Sequence, residues 1–294
     1  MAELNYHHLR YFQVVAHEGH LTRAAEKLNV SQSALSAQIR QLEQRLGQPL
    51  FERRGRALHL TEAGRIALDH ADAIFATGRE LMATLQQAAR PRRAVRIGAI
   101  STLSRNFQLG FLRPLLGRPD VEVIVRSGGA AELFEALAAV QLDLVLTNHP
   151  PQTDALAPFV VQHLDSQTVS LIGVPRLCLP TRSLTAHLES VPVLLPTQGS
   201  GVRIGFEALV DRLGVQPQIA AEIDDMAMLR LLARDGAGLA VIPPVVVRDE
   251  LESGRLVEAE RLPDIIESFY AVTTRRRFPN PLVRALLDTT APPD

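Results

Sequence analysis

Three uncharged polar side chains fall on one side of a segment with a helical repeat. Gln32, Ser33 and Ser36 lie opposite the apolar positions of the stretch QSALSAQIRQLEQRL. Short amide and hydroxyl groups can hydrogen-bond to base edges in the major groove of DNA, where glutamine pairs with adenine through two bonds. Serine is also typical of helix N-termini, so helix capping explains the residue types on this segment equally well by themselves.

Basic residues surround this uncharged face. Arg40 lies near the same side of the helix, and Arg53, Arg54 and Arg56 follow in FERRGRALHL. Arginines at the periphery bind phosphates, which supplies affinity and register without reading bases. Residues 1–60 hold 8 Lys and Arg against 5 Asp and Glu, whereas the rest of the chain holds 23 against 27. A mildly basic head on an acidic body is compatible with a polyanion partner for the head alone.

Short helices must position these side chains. Three apolar stripes with helical spacing are formed by Leu9, Phe12 and Ala16, by Leu21, Ala24, Ala25 and Leu28, and by Leu35, Ile39, Leu42 and Leu46. Gly19-His20 separates the first two, and a tight turn at Asn29-Val30 precedes the third, as in a helix-turn-helix. The stretch PLFERRGRALHLT predicts a two-stranded wing. We therefore predict a winged helix-turn-helix DNA-binding domain over residues 1–60.

One long helix is predicted over residues 61–88. Its apolar and small side chains form two seams, which are Leu68, Ala71, Phe75, Gly78, Met82, Leu85 and Ala63, Ala67, His70, Ile74, Thr77, Leu81. A helix that is apolar on two sides needs another helix to cover it. Packing within the monomer is one solution. We favour dimerisation, because both flanking segments already have the length and pattern of complete domains, and a homotetramer would extend it.

An effector-binding domain of α/β class is predicted over residues 93–294. Eight apolar runs read as strands, namely AVRIGAI, VEVIVRS, LDLVLTN, TVSLIG, VPVLLPT, IAAEID, GLAVIPP and ESFYAVTT. Helical segments lie between several of them, which implies mostly parallel strands in roughly two sheets. We place subdomain 1 at about 93–164 and 267–294, and subdomain 2 at about 165–266.

The N-terminal segment resembles the DNA-binding domain of LysR-type transcriptional regulators. The resemblance rests on the opening LRYFQVVAHEGHLTRAAEKL, on SQSALSAQIRQLEQRLGQPLFERR and on LTEAG, and it covers about 88 residues. Within this family, the N-terminal sequence is most similar to the branch that regulates sodium/proton antiporters. The rest of the chain matches in layout, where the family folds as two α/β subdomains like a periplasmic binding protein with a small-molecule cleft between them.

The resemblance implies roles for individual residues of the head. It implies base or near-base contacts for Gln32, Ser33 and Ser36. It implies phosphate contacts for Thr22, Ser31, Arg53, Arg56 and Thr61. Many members of the family have an arginine where this chain has Ala37, so the resemblance does not carry over another member's operator sequence. It further implies a double-stranded DNA operator and an encounter with RNA polymerase.

Polar residues at the ends of predicted strands are candidates for the effector site. Ligands favour the carboxyl ends of strands in open α/β sheets, and helix N-termini favour anions. The candidates are Ser101, Thr102, Gly128, Gly129, Thr147, Asn148, Gln198, Ser200, Arg203 and Asp224. Each of them could instead cap a helix, and Arg203 could equally form a structural ion pair. The effector is expected to be a small molecule or an ion, with no further cofactor and no metal.

Other classes of protein fit the sequence less well. The stretch GSGVRIG is one residue too long for a dinucleotide loop, Cys178 lies in an apolar setting, and His17 and His20 have no further ligands beside them. No catalytic constellation is visible, so we do not expect an enzyme. A solute-binding receptor with a helical extension is the alternative. The chain shows no secretory signal and no apolar run of membrane length, so we expect a cytoplasmic protein without a membrane partner.

Overall fold

The computed structural model describes residues 4–54, 57–88, 92–151, 159–276 and 278–289. The chain divides into two compact units, Met1–Thr84 and Leu85–Asp294. No helix within the described residues is long and apolar enough to cross a membrane. The boundaries that we assigned to subdomains of the second unit stay a prediction.

Three helices open the first unit, namely α1 (Tyr6–Glu18), α2 (Leu21–Lys27) and α3 (Gln32–Leu46). The side chain of Asn5 caps α1, and Gly19, at φ 66°, ends it in the left-handed conformation that glycine adopts without strain. Asn29 has φ 52° in the turn between α2 and α3. Asparagine tolerates this conformation better than most residues, so the tight turn predicted from Asn29-Val30 is present.

The predicted wing is present as strands β1 (Phe51–Arg54) and β2 (Ala57–Leu60). They pair antiparallel, with Phe51 opposite Leu60 and Arg54 opposite Ala57. Phe51 and Leu58 pack against the buried core of the three helices, which contains Val14, Val15, Ala24, Ala25, Leu35 and Ile39. The wing is thereby fixed to the same core that supports α3.

The long helix α4 (Glu62–Ala88) has two different halves. Its first half packs within the unit, where Ala71 is buried together with Leu9, Phe12, Leu42 and Leu50. The alternative of packing within the monomer is therefore correct for this half. Leu81, Met82 and Leu85, which we call the α4 stripe, are 58 %, 59 % and 58 % exposed.

The second unit alternates strands and helices. In chain order these are β3 (Arg93–Ile100), α5 (Arg105–Leu112), β4 (Val121–Gly128), α6 (Ala130–Ala138), β5 (Leu144–Thr147), β6 (Phe159–Gly173), α7 (Leu184–Ser190), β7 (Val193–Pro196), α8 (Gly201–Leu213), β8 (Ile219–Ile223), α9 (Met226–Asp235), β9 (Leu239–Ile242), a short 3-10 helix (Pro244–Val247), α10 (Arg248–Glu252), β10 (Val257–Thr274) and α11 (Pro281–Thr289). Each of the eight apolar runs that we read as strands overlaps one of these strands.

The strands form one mixed sheet, where we expected roughly two. Its order is β4-β3-β5-β10-β6-β9-β7-β8. The outer pairs β3–β4, β3–β5, β7–β8 and β7–β9 are parallel as predicted. The central strands β6 and β10 are antiparallel to each other and join the two parallel parts.

The central strands are much longer than predicted. We expected TVSLIG and ESFYAVTT, whereas β6 spans 15 residues and β10 spans 18. The additional segments mix polar and apolar residues and include Pro263, so no apolar run marks them. The pairing shifts register between Leu262 and Ile266, and this bulge accommodates the proline.

The second unit contains separate cores on the two sides of the central strands. One contains buried side chains from residues 95–164 and 269–286 together with Val245. Two others are drawn from residues 169–265. The end of β5, the N-terminus of α8 and the middle of β10 lie between these cores, so polar side chains from these three places can meet.

Candidate functional site

The exposed face of α3 carries the candidate base-reading side chains. Gln32, Ser33 and Arg40 are exposed and Ser36 is half-buried, whereas Leu35, Ile39 and Leu42 are buried on the opposite side. The apolar residues hold the helix against the unit, and the exposed side offers uncharged side chains at its N-terminal end and Arg40 further along. Such a surface can approach the floor of the major groove closely.

Capping explains part of the polar N-terminus of α3. Oγ of Ser31 accepts a hydrogen bond from the backbone N–H of Ala34 at 3.2 Å, and it lies 3.1 Å from Oγ of Ser33. Ser31 is therefore the N-cap residue of α3. Thr22 is exposed in the first turn of α2. Both residues lie at helix N-termini, where a phosphate is favoured.

The predicted phosphate contact at Thr61 has a different local setting. The hydroxyl of Thr61 donates to the carbonyl oxygen of Pro49 at 2.7 Å and accepts from the N–H of Gly64 at 2.9 Å. Its donor is used inside the unit, so Thr61 serves first to start α4. The side chains of Arg53 and Arg54, and the whole of Arg56, lie outside the described residues.

A cavity of about 250 Å³ lies in the second unit between its two halves. The residues that line it are Asn148, His149, Pro150, Ser200, Gly201, Val202, Ile266, Glu267, Ser268 and Tyr270. They come from the segment after β5, from the N-terminus of α8 and from β10. Two of the predicted effector contacts, Asn148 and Ser200, are brought together here.

A hydrogen bond between two buried side chains forms part of the cavity lining. Nδ2 of Asn148 donates to Oε1 of Glu267 at 2.7 Å, and both residues are only 6 % exposed. Burial raises the pKa of Glu267 to about 7, and the hydrogen bond from Asn148 opposes this increase. The cavity therefore contains a carboxyl group that changes charge near neutral pH.

The other candidates from the first half do not line this cavity. Ser104, and not Ser101 or Thr102, caps α5 through a hydrogen bond from the N–H of Phe107 at 3.2 Å. Ser101 and Thr102 occupy the turn directly after β3, at the carboxyl end of that strand, and their contact with an effector stays a prediction. The side chain of Thr147 is satisfied by the backbone of His149. Gly128 ends β4 and Gly129 is the N-cap residue of α6, which is the alternative role that we gave for such residues.

Arg203 forms the structural ion pair that we gave as its alternative role. Its buried guanidinium group lies 2.6 Å from Oε1 of Glu207 and 2.9 Å from Oε1 of Glu222. Burial alone would lower its pKa, but these two carboxylates raise the pKa of Arg203 above its ordinary value. The cation is thereby neutralised inside the unit. The ion pair at Arg203 is therefore confirmed, and its contact with an effector stays a prediction.

Gln198 and Asp224 are exposed and do not line the cavity. Gln198 lies in the turn before α8. Asp225 and not Asp224 caps α9, by accepting a hydrogen bond from the N–H of Ala227 at 2.7 Å. The polar ends of strands thus include several residues that serve local structure.

His17 and Cys178, to which we assigned no metal and no catalytic role, have ordinary structural surroundings. Nε2 of His17 lies 2.9 Å from Asp72, and no metal-binding group of three or more His, Cys, Asp or Glu occurs among the described residues. Cys178 is buried, and burial raises the pKa of its thiol. A buried protonated thiol is a poor nucleophile.

Comparison with known proteins relates both units to one family. Residues 6–65 match the model for the bacterial regulatory helix-turn-helix protein of the lysR family, and residues 88–291 match the LysR substrate binding domain. The transcriptional activator protein NhaR of Escherichia coli is 26 % identical over 294 residues, which covers 98 % of this chain and 96 % of NhaR. The transcriptional regulator PcaQ of Agrobacterium fabrum is 34 % identical over 264 residues, which covers 86 % of this chain and 83 % of PcaQ.

Solved structures agree in fold. The crystal structure of Vibrio fischeri DarR in complex with DNA superposes with a TM-score of 0.55 at 19 % identity, and the match covers 98 % of this chain and all of that one. Both relatives are named as transcriptional regulators. This function is therefore favoured over the two alternatives, a solute-binding receptor and an enzyme.

Proposed function

The chain belongs to the LysR family of transcriptional regulators, and from this premise we propose how its two units work. In the first unit, α3 enters the major groove of an operator and reads base edges through Gln32, Ser33 and Ser36. In the second unit, the cavity between the halves binds a small effector. The exposed uncharged face of α3, held by buried Leu35 and Ile39, is the observation that carries this proposal.

Contacts with the DNA backbone fix the register of α3. Thr22, Ser31 and Arg40 surround the reading face and are exposed, so they can meet phosphates from the two sides of the groove. The arginines predicted for the wing, Arg53, Arg54 and Arg56, would add affinity that depends on salt and not on sequence. Ala37 cannot donate a hydrogen bond to a base as an arginine would, so the operator is expected to differ at this contact from those of members with an arginine there.

We propose that the protein acts as a homodimer, which can pair further into a homotetramer. The α4 stripe supports this, because three large apolar side chains on one helical face gain stability when a second copy covers them. Two heads then contact two half-sites of a pseudo-palindrome. An effector that binds one state of the second unit better would shift the orientation of the heads and alter the access of RNA polymerase.

Operator selection from genomic fragments tests the assignment of the reading helix. Gln32→Ala should remove the preference for one base at one position, because a good bidentate contact is worth about 1–3 kcal/mol of discrimination. Ser36→Arg should change the selected sequence, since it introduces a long cationic side chain at the base edges. The matched control is Gln41→Ala, which removes an exposed amide nine residues later and half a helical turn away.

Unchanged base preference in both the Gln32 and Ser36 variants would contradict the assignment. Arg40→Ala provides a second measurement, since loss of a phosphate contact should weaken binding to all sequences and reduce the salt slope by about 1. A loss of preference at a single base would instead make Arg40 a reader.

A further inference from the structure

The cavity of the second unit has an acceptor-rich end. Of the described residues that line it, none is a lysine or an arginine, whereas Glu267 and Asn148 are buried beside each other. A buried carboxylate is stable only when a positive charge or hydrogen-bond donors face it. This end of the cavity is therefore unsuited to an anion.

Asn148 leaves an acceptor without a donor. Its Nδ2 is used by Glu267, so Oδ1 is turned away from that contact. Within the described residues, this buried Oδ1 accepts no hydrogen bond. Leaving such an atom unpaired costs about 1–3 kcal/mol, which a ligand with N–H donors would recover. A protonated amine has three donors and the charge that Glu267 requires.

The N-terminus of α8 also lines the cavity, and it favours an anion where Glu267 and Asn148 favour a cation. Ser200, Gly201 and Val202 line the cavity where this helix of 13 residues begins. The side chain of Ser200 makes no capping hydrogen bond. The first backbone N–H groups of a helix are then available, and together with the helix dipole they favour a carboxylate.

The cavity is small. Its volume of about 250 Å³ is below the roughly 300–1,000 Å³ of pockets that bind drug-sized ligands. His149 narrows it from one side, since a methyl group at Gly201 would lie 3.2 Å from Cε1 of His149. The size fits a molecule with few non-hydrogen atoms.

We propose that the effector is a small zwitterion of the amino-acid class, held by both ends of this cavity. Its ammonium group binds Glu267 and Oδ1 of Asn148, and its carboxylate binds the N-terminus of α8. The inference rests on the proposed effector-binding function of the second unit. It adds the chemical class of the ligand and the residues that select it.

A binding screen with the full chain tests this class. The probes are the twenty proteinogenic L-amino acids, and for each one that binds, the amine without its carboxyl group and the carboxylic acid without its amino group. Isothermal titration calorimetry should detect at least one amino acid. Each of its two truncated analogues should bind roughly tenfold to hundredfold more weakly, since each loses hydrogen bonds to a charged group.

Two glutamate variants identify the residue that recognises the amine. Glu267→Gln should weaken binding of the amino acid by roughly tenfold or more and leave the binding of its deaminated analogue unchanged. Glu260→Gln makes the same chemical change on the same strand, outside the cavity, and should leave both affinities unchanged. Gly201→Ala should weaken the amino acid by crowding His149.

Three results would overturn the inference. They are binding of no amino acid, tighter binding of the simple carboxylic acid than of its amino acid, and an unchanged affinity in Glu267→Gln. Operator selection with the same protein sample separates the two levels of proposal. A sample that selects DNA but binds no amino acid contradicts the effector class alone, whereas a sample that selects no DNA contradicts the proposed function.

Discussion

Glu267 connects the chemistry of the cavity to the stability of the second unit. Burial raises its pKa from 4.5 to about 7, so the folded chain binds the proton more tightly than the unfolded chain does. The stability that this adds is complete below about pH 4.5 and is lost as the pH rises to about 7. The difference between the two pKa values corresponds to roughly 3 kcal/mol.

Replacing this carboxyl group should therefore stabilise the unliganded protein at alkaline pH. We expect Glu267→Gln to raise the free energy of unfolding by up to roughly 3 kcal/mol at pH 8 and to have little effect near pH 4.5. Urea unfolding across this range measures it, with Glu260→Gln as the control. His149 and Tyr270 also line the cavity, and they are unchanged in both variants. Parallel pH curves for the wild type and Glu267→Gln would contradict the prediction.

The sequence identified some site residues and missed others for a physical reason. Asn148 was predicted because it ends an apolar run read as a strand, and Ser200 because it lies at a strand–helix junction, and both are local signals. Glu267 was missed because its burial depends on Asn148, which lies 119 positions earlier in the chain. No local pattern distinguishes an exposed glutamate from one that a distant strand buries. Ser104 and Asp225 took capping roles that Ser101 and Asp224 could equally have had.

At the scale of elements, α4 depends on one glycine to contact the wing segment. A Cβ atom at Gly64 would overlap the carbonyl oxygen of Leu50, whereas a Cβ at Gly78 would meet nothing within 4 Å. We expect Gly64→Ala to destabilise the first unit by about 1–3 kcal/mol, as overpacking does. Gly78→Ala should stabilise it by up to about 1 kcal/mol through helix propensity. Thermal unfolding distinguishes the two, and equal shifts would contradict the contact.

The α4 stripe makes a separate prediction about assembly. A glutamate at Leu81 would place a charge in the proposed interface twice, once from each copy. We therefore expect Leu81→Glu to shift the protein from dimer to monomer at micromolar concentration. Sedimentation velocity measures the change. The control Ala73→Glu adds the same charge at an exposed position of the same helix outside the stripe, and dissociation of both variants would remove the stripe from the interface.

The lengths of elements were predictable only where one pattern continued. The helices of the head followed an uninterrupted apolar repeat, and α4 was expected over residues 61–88 and observed at Glu62–Ala88. The strands β6 and β10 were predicted at less than half their length, because Pro263 and alternating polar residues ended the apolar runs. The additional residues are strands because β6 and β10 hydrogen-bond to each other, and no local sequence pattern indicates this pairing.

At the scale of the whole molecule, a dimer requires a fixed distance between half-sites. Two equivalent heads on B-DNA face the same side only when the centres of the half-sites are about 10–10.5 base pairs apart or a multiple of that. Inserting about five base pairs between them should therefore abolish the tight complex, and inserting about ten should restore much of it. Electrophoretic mobility shifts on spacer variants of the selected operator measure this, and indifference to spacing would indicate independent heads.

The division of labour between the units was also visible in the sequence. A basic, helical head and an acidic body with alternating strands and helices predicted a DNA-binding part and a ligand-binding part. What the sequence could not give is the continuity of the sheet. Two parallel parts and one mixed sheet contain the same apolar runs, and only the long-range pairing of β6 with β10 decides between them.

This continuous pair of strands has a mechanical consequence. The halves of the second unit are joined by two long strands, and these strands are hydrogen-bonded to each other on both sides of the cavity. This connection differs from a flexible hinge. A ligand that draws α8 toward Asn148 and Glu267 must therefore twist the β6–β10 pair. The hydrogen-bonded strands resist this twist elastically. We expect ligand binding to twist the pair of strands β6 and β10. A small rotation of the two halves at the cavity would then become a larger displacement at the outer strands of the sheet.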